Sequence, residues 1–572
     1  MKRWINNLIL CAVLIAALAA LEGCSHRPSP AKTGDGAVLF RLGFSGTPDS
    51  LNPYAAGNEE ARAVMSLLYD TLFTADPVTG ELQAGLCSEY TVSDSAAGAR
   101  LWRITLRDDV YWHDGVRLTA SDVEFSLQSE KELSVSFSYP ACELLDVTGI
   151  AVEDDTHLAM VVWGEEEYIR SCLARIPILP RHIWNELSYM RYDSSGVAAD
   201  PARARQEIYA LDPGADMMVG SGLYRWGGYD NGVCTLALND HYWNGTSMAE
   251  VLQLRFGLVD PTAELEAGRL DACWETSLSA FQRLSQSDSN RVTAGTAGEM
   301  YYLGFNFADT GSPVADARVR QALEYCTSRD AMLLYAFGGG FSERGLLSPY
   351  SPYYYMDEIV FDRPYSIETA QTLLENAGYS DTNGDAVRES RDGRQLRLKL
   401  LCSAGVPAWS QAAEILKAGC TAAGIGLDIA LLPPEEYAAA LLSGDYDMVL
   451  TSAATEPEPW FSLGAFYWDD GDNAYARSDA VSRGWNVCGY NSGAYDAIYE
   501  QLLSAAVSEE TARLAAQAGE FLYNDSAAIV IGFSVQYQAC TRVWSGICPC
   551  TADGLYFSPL TLPGQMKNLR AG

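Results

Sequence analysis

Residues 396–450 read LRLKLLCSAGVPAWSQAAEILKAGCTAAGIGLDIALLPPEEYAAALLSGDYDMVL. Leu396, Leu398 and Leu400 alternate with Arg397 and Lys399, the period-two pattern of a half-buried strand. Trp409 to Ala423 is helical in composition, and Gly424 stands where a helix usually stops on a positive φ. Ile425, Leu427, Ile429 and Leu431 alternate again; Pro433 then opens a second helix through Leu442. Gly444-Asp445 ends that helix, and Tyr446 to Leu450 makes a third strand. Strand-helix-strand-helix-strand with short links is a βαβαβ unit, so this region is expected to build on a mostly parallel sheet. The helix from Glu509 to Tyr523 follows, and Ile529 to Phe533 is expected to carry the chain back to its first half.

Upstream, residues 101–128 read LWRITLRDDVYWHDGVRLTASDVEFSLQ. Trp102, Ile104 and Leu106 alternate with Leu101, Arg103 and Thr105 as in a strand, with larger apolar groups on one face. Asp114-Gly115 signals a hairpin, because Gly accepts positive φ and Asp can bond its own backbone. Thr119-Ala120-Ser121-Asp122 reads as a capping box that opens a helix carrying Val123, Phe125 and Ser126 inward. This stretch is a rigid corner, without a catalyst.

At 572 residues the chain exceeds one simple core, and two or three packed units are expected. Its 48% apolar and 20% charged content is that of a globular protein. Lys and Arg number 39 against 74 Asp and Glu, a formal charge of -35. Nucleic-acid binding is driven by cation clusters that release counterions, so it is not expected here. Lys2 and Arg3 precede an uncharged apolar run from Leu8 to Leu21. That run is about 21 Å long as a helix, short of the ~30 Å hydrocarbon core, and reads as a signal-peptide segment. Leu21-Glu22-Gly23-Cys24 resembles a bacterial lipobox, with Glu22 atypical, and makes Cys24 the expected lipidated residue of an extracytoplasmic, membrane-anchored protein. The Ser-, Pro- and Gly-rich stretch to residue 37 is a tether. The cysteines have no paired C-x-x-C spacing, so zinc has little support, and their pairing is not legible.

Leu106-Arg107-x-x-Val110-x-Trp112-His113-Asp114-Gly115-x-x-Leu118-Thr119-Ala120-x-Asp122-Val123-x-Phe125-Ser126 resembles the signature of the extracellular solute-binding proteins of peptide and nickel ABC importers, the oligopeptide- and dipeptide-binding-protein family. Five further stretches resemble family motifs in the same order. They are Thr47–Pro53 with Leu68-Tyr69-Asp70-Thr71-Leu72, Ile178–Trp184, Gly220–Tyr224, Asn239–Gly245 and Leu265–Asp271. The resemblance implies an α/β, two-lobed periplasmic-binding-protein fold with an extra subdomain in the first lobe and two hinge crossings. It divides the chain into a signal peptide at 1–23, a tether at 24–37, lobe I at 38–300, lobe II at 301–530 and a return to lobe I at 531–572. The implied function is capture of a peptide or similar small solute between the lobes and delivery to a membrane permease, by a monomer without cofactor. Peptide-binding relatives anchor the ligand amine on an Asp in a segment resembling W-x-A-D-Y-x-D-P. Here Ser452 replaces the Trp and Thr455 the Asp, with Glu456 and Glu458 as neighbouring carboxylates. The ligand-binding residues implied are Thr455, Glu456 and Trp460, faced by Tyr54 and Tyr302 from the other lobe and the hinge. Trp460→Ala is then expected to weaken binding while leaving the melting temperature nearly unchanged.

Chemistry beyond binding has little support. The five histidines include none near a Ser or Cys in a nucleophile context, so no enzyme is expected. Gly338-Gly339-Gly340 lacks the Lys-Ser/Thr of a phosphate loop and reads as a turn. Asp381-Thr382-Asn383-Gly384-Asp385 with Glu389 spaces oxygens as calcium loops do, but Ala386 stands where such a loop needs Gly, so a solvated turn is expected and no metal. The aromatic loop Tyr350, Tyr353, Tyr354 and Tyr355 reads as a surface excursion or cleft lining. The alternatives are a receptor that reports ligand occupancy to a signalling partner, and a secreted hydrolase that uses carboxylates.

Overall fold

The computed structural model describes residues 29–95, 99–133, 147–184, 207–208, 210–342, 345–347, 351, 363–455, 458–468, 486–505 and 508–572. Strand β1 (Val38–Gly43) leads through the Thr47–Pro53 loop into helix α1 (Glu59–Leu68). Asn58 caps α1 by accepting from Ala61 N at 3.0 Å, while Val64, Leu67 and Leu68 are buried on its inner face. A separate antiparallel sheet follows, made of β2 (Cys87–Asp94), β3 (Arg100–Leu106), β4 (Val147–Val152) and β5 (His157–Val162) in the order β2-β3-β5-β4. Helices α2 (Ala120–Leu133) and α3 (Glu166–Leu173) complete this extra subdomain. Trp102, Ile104 and Leu106 are its buried face, as their alternation predicts. Half of the capping box forms: Asp122 Oδ2 accepts from Thr119 N at 2.8 Å and from the Thr119 hydroxyl at 3.1 Å, while Asp122 N donates to the Thr119 carbonyl rather than to its hydroxyl; Val123, Phe125 and Ser126 are buried.

The separated motifs turn out to be one another's hydrogen-bond partners. Gly220 N donates to His113 Nδ1 at 3.1 Å, so the ring proton sits on Nε2 and faces Gly222 O at 3.1 Å. Burial pushes His113 down to about 4, and it is neutral at pH 7. Asp70 accepts from Tyr242 Oη at 2.8 Å, Ser221 Oγ at 2.9 Å and Trp243 Nε1 at 3.1 Å. Asp271 takes the Arg41 guanidinium at 2.9 Å. These contacts lock the loops to one another.

One continuous eleven-stranded sheet carries both lobes. In lobe I, β6 (Tyr224–Asp230), β7 (Val233–Leu238), β8 (Val251–Arg255) and β9 (Ala272–Thr276) join β1 in the order β9-β1-β8-β7-β6. The chain crosses on β10 (Asn290–Phe305) into lobe II, which begins with helix α4 (Ala317–Cys326). There β11 (Arg397–Ser403), α5 (Pro407–Ala423), β12 (Gly426–Leu432), α6 (Pro434–Ser443) and β13 (Met448–Ala454) form the expected βαβαβ unit, parallel and ordered β12-β11-β13. Gly424 and Gly444 end their helices at φ 86 and 70. Leu431 is exposed because β12 is the sheet edge. A short helix α7 (Pro459–Leu463) follows β13, and α8 (Ser508–Asp525) precedes the return crossing β14 (Ala528–Thr541).

Both crossings are longer than the expected extended runs, and they pair with each other in three registers, with shifts between Thr296 and Met300 and between Tyr301 and Tyr302. Residues 290–296 of β10 pair with 541–535 of β14, the register slips between Thr296 and Met300, and pairing resumes through Gly304. Gly298 sits in this slip at φ 68, a left-handed conformation that glycine adopts without strain. A parallel unit, an antiparallel pair and a mixed lobe I sheet are thus hydrogen-bonded into one surface that is interrupted at the crossing.

Candidate ligand-binding site

A cavity of about 760 Å³ opens where these parts meet. One wall is a single face of α1, presenting Glu59, Arg62, Met65 and Ser66 at helical spacing, with Tyr69 following at its C-cap. The C-terminal segment around Asp553 and Pro559 closes the lobe I side. Arg170, Ser171 and Arg175, on and just after α3, come from the extra subdomain. Thr296 and Gly298 supply the hinge, and Thr455, Glu458 and Trp460 come from the lobe II connection between β13 and α7.

The lobe II wall is anchored on the hinge. Thr455 N donates to Gly298 O at 2.7 Å, while the Thr455 hydroxyl is buried with no hydrogen-bond partner among the described residues. Glu458 is paired across the opening: Arg175 Nη2 donates to Oε2 at 2.9 Å, Arg175 Nη1 to Oε1 at 3.3 Å, and Ser171 Oγ to Oε1 at 3.0 Å. The Arg175 guanidinium also lies 4.5 Å from the centre of the Phe461 ring. Arg170 donates to Leu82 O at 2.7 Å and lies 5.2 Å from the Phe73 ring centre. Glu59 accepts from Trp274 Nε1 at 3.0 Å; burial, more than its charged neighbours, pushes its carboxyl up to about 7.

Of the residues expected to bind ligand, the structure brings Thr455 and Trp460 to the wall, together with the neighbouring carboxylate Glu458. Trp460 is also only 1% exposed, and its ring meets Tyr168 edge-on at 5.8 Å. Tyr54 and Tyr302 do not reach the cavity, which corrects the expectation for both. Tyr54 packs edge-on against Trp184 at 5.4 Å inside the lobe I core. Tyr302 packs against Phe466 at 5.8 Å, because the strand alternation of β10 turns its ring into the core. Glu456, Cys24 and the tyrosines at 350 and 353–355 lie outside the described residues. Glu59, Tyr69, Arg170 and Arg175 were missed. A charged pair opening a helix, Glu59-Glu60, was a weak signal for the first; nothing local marks Arg175.

The acidic turn does gather its side chains: ligand oxygens of Asp381, Asp385 and Glu389 lie within 4.8 Å of one another. Donors of the turn itself already serve these oxygens, among them Gly384 N on Asp381 and Thr382 N on Glu389. The eleven described cysteines form no disulfide, and all but Cys548 are buried. No helix among the described residues is long and apolar enough to cross a membrane.

The family described as bacterial extracellular solute-binding proteins, family 5 Middle matches residues 81–474. The chain is 22% identical over 423 residues to the oligopeptide-binding protein AppA of Bacillus subtilis (strain 168), covering 71% of this chain and 72% of that one. The structure of that AppA in complex with a nonapeptide is similar with a TM-score of 0.70 at 18% identity, covering 95% of this chain and all of the other. NikZ from Campylobacter jejuni, in complex with Ni(L-His), is similar with a TM-score of 0.67 at 20% identity, covering 89% of this chain and 95% of that one. The two-lobed periplasmic-binding-protein architecture is common to them. A cavity walled by both lobes and their crossings, in a chain matched over more than half its length, places this protein: it belongs to the bacterial extracellular solute-binding proteins, family 5.

Proposed function

We propose that the protein is the substrate-binding component of an ABC importer, capturing a peptide or similar small solute in the inter-lobe cavity and presenting it to a membrane permease. The observation that carries this reading is the cavity itself, with Glu59 and Tyr69 on the lobe I wall and Thr455 and Trp460 on the lobe II wall. A ligand that touches both walls stabilises the closed arrangement, whereas one that touches a single wall gives no preference for closure. In this reading the protein performs no chemistry on its ligand, acts as a monomer, is tethered through lipid on Cys24, and divides into lobes near residues 300 and 530, beside the register slip.

Native mass spectrometry of the purified, unlipidated protein tests the reading: a small solute should co-purify and be released unchanged. Conversion of the released solute into product would end it. For the tether, Cys24→Ser should move the protein from the membrane fraction to the soluble one.

A further inference from the structure

Resting on the peptide reading above, we propose that Glu59, in the first turn of α1, is the carboxylate that receives the free amino terminus of a linear peptide ligand. The position that resembles the family's amine anchor holds Thr455, which has no charge. Glu458 cannot substitute for it, since Arg175 and Ser171 hold both of its oxygens.

Glu59 has what those two lack. It lies on the cavity wall, and its only hydrogen bond among the described residues is the one from Trp274 Nε1 to Oε2, which orients the group and leaves Oε1 accepting nothing. Three charged groups bear on it: Arg62 opposes its raised pKa, while Glu60 and Glu275 add to it. Glu275 accepts from Ser45 through Oε1, and its Oε2 is buried without a partner among the described residues. Two buried groups of the same cavity, the Tyr69 hydroxyl on the lobe I wall and the Thr455 hydroxyl on the lobe II wall, are also without partners among the described residues. A half-buried carboxylate with like charges beside it is stabilised when a cation joins it, and an ammonium supplies both charge and donors.

The wall beyond Glu59 suits an extended chain. From Glu59 to Tyr69 the α1 face runs about 15 Å, the span of roughly four extended residues. The Tyr69 end lies beside the α3 side of the cavity, since Ile178 N donates to Asp70 O at 2.9 Å just after Arg175. A peptide anchored at Glu59 therefore runs toward Arg170 and Arg175.

Equilibrium dialysis of the purified protein against an equimolar pool of random tetrapeptides, with mass-spectrometric readout, tests this. One arm uses free amino termini and the other N-acetylated ones. Free-amine peptides should be retained at least tenfold better, and Glu59→Gln should abolish that preference, so that both pools are retained alike. Equal retention of both pools by the parent protein, or an undiminished preference in E59Q, overturns the anchor alone. Retention of neither pool overturns the peptide reading and the anchor with it. The parent comparison needs no variant, so a folding defect in E59Q does not rescue the proposal.

Discussion

Trp460 is at once cavity wall and core. A ring 1% exposed and packed on Tyr168 cannot be removed without leaving a void, so Trp460→Ala should cost about 3–5 kcal/mol by urea denaturation. This reverses the expectation of an unchanged melting temperature; a loss under about 1 kcal/mol would show that the site collapses around the missing ring. Glu59 makes a pH-dependent contribution of predictable sign. Its folded carboxyl is pushed from 4.5 up to about 7, so its contribution to stability is fully present below pH 4.5 and is lost as pH rises through 7. Glu59→Gln should match the parent protein near pH 4 and melt higher above pH 7, by at most about 3 kcal/mol. Equal melting curves across that window would mean the carboxylate is already compensated.

At the scale of elements, the acidic turn between the helix Ile367–Ala377 and β11 carries a testable strain. Ala386, which stands where a calcium loop needs Gly, adopts φ 68, a left-handed conformation. A Cβ there costs about 1–2 kcal/mol, and the greater unfolded-state freedom of glycine offsets part of any gain. Ala386→Gly should therefore stabilise lobe II by up to about 1 kcal/mol in calorimetry, and a destabilisation of that size would show that the turn holds alanine without strain. Helix stops, by contrast, needed no structure. Gly424 and Gly444 occupy their left-handed C-terminal positions as the pattern required, because that signal is local.

For the whole molecule, the decisive contact is Arg175 with Glu458, which joins the extra subdomain to the lobe II connection. The Arg175 and Glu458 side chains are 4% and 15% exposed, so losing one partner strands a largely buried charge. Arg175→Met should cost about 3–5 kcal/mol, while Arg175→Met combined with Glu458→Met should recover much of that loss. A double-mutant cycle with no coupling would mean the pair contributes nothing to holding the lobes together.

The sequence by itself determined the βαβαβ unit, the helix caps and stops, the inward face of the corner strand, and, through six motifs in order, the family. All of these are written in nearest neighbours or in periods of two and 3.6 residues. Only the tertiary structure decided which side chains face the cavity. Period two says that Tyr302 and its neighbour Tyr301 point to opposite faces of β10, but not which face meets a ligand. Arg175 and Glu458 lie 283 positions apart, and no local pattern announces that they meet. Nor could spacing show that the Glu59 carboxyl is half-buried beside Trp274 and Glu275, since both arrive from a distant strand.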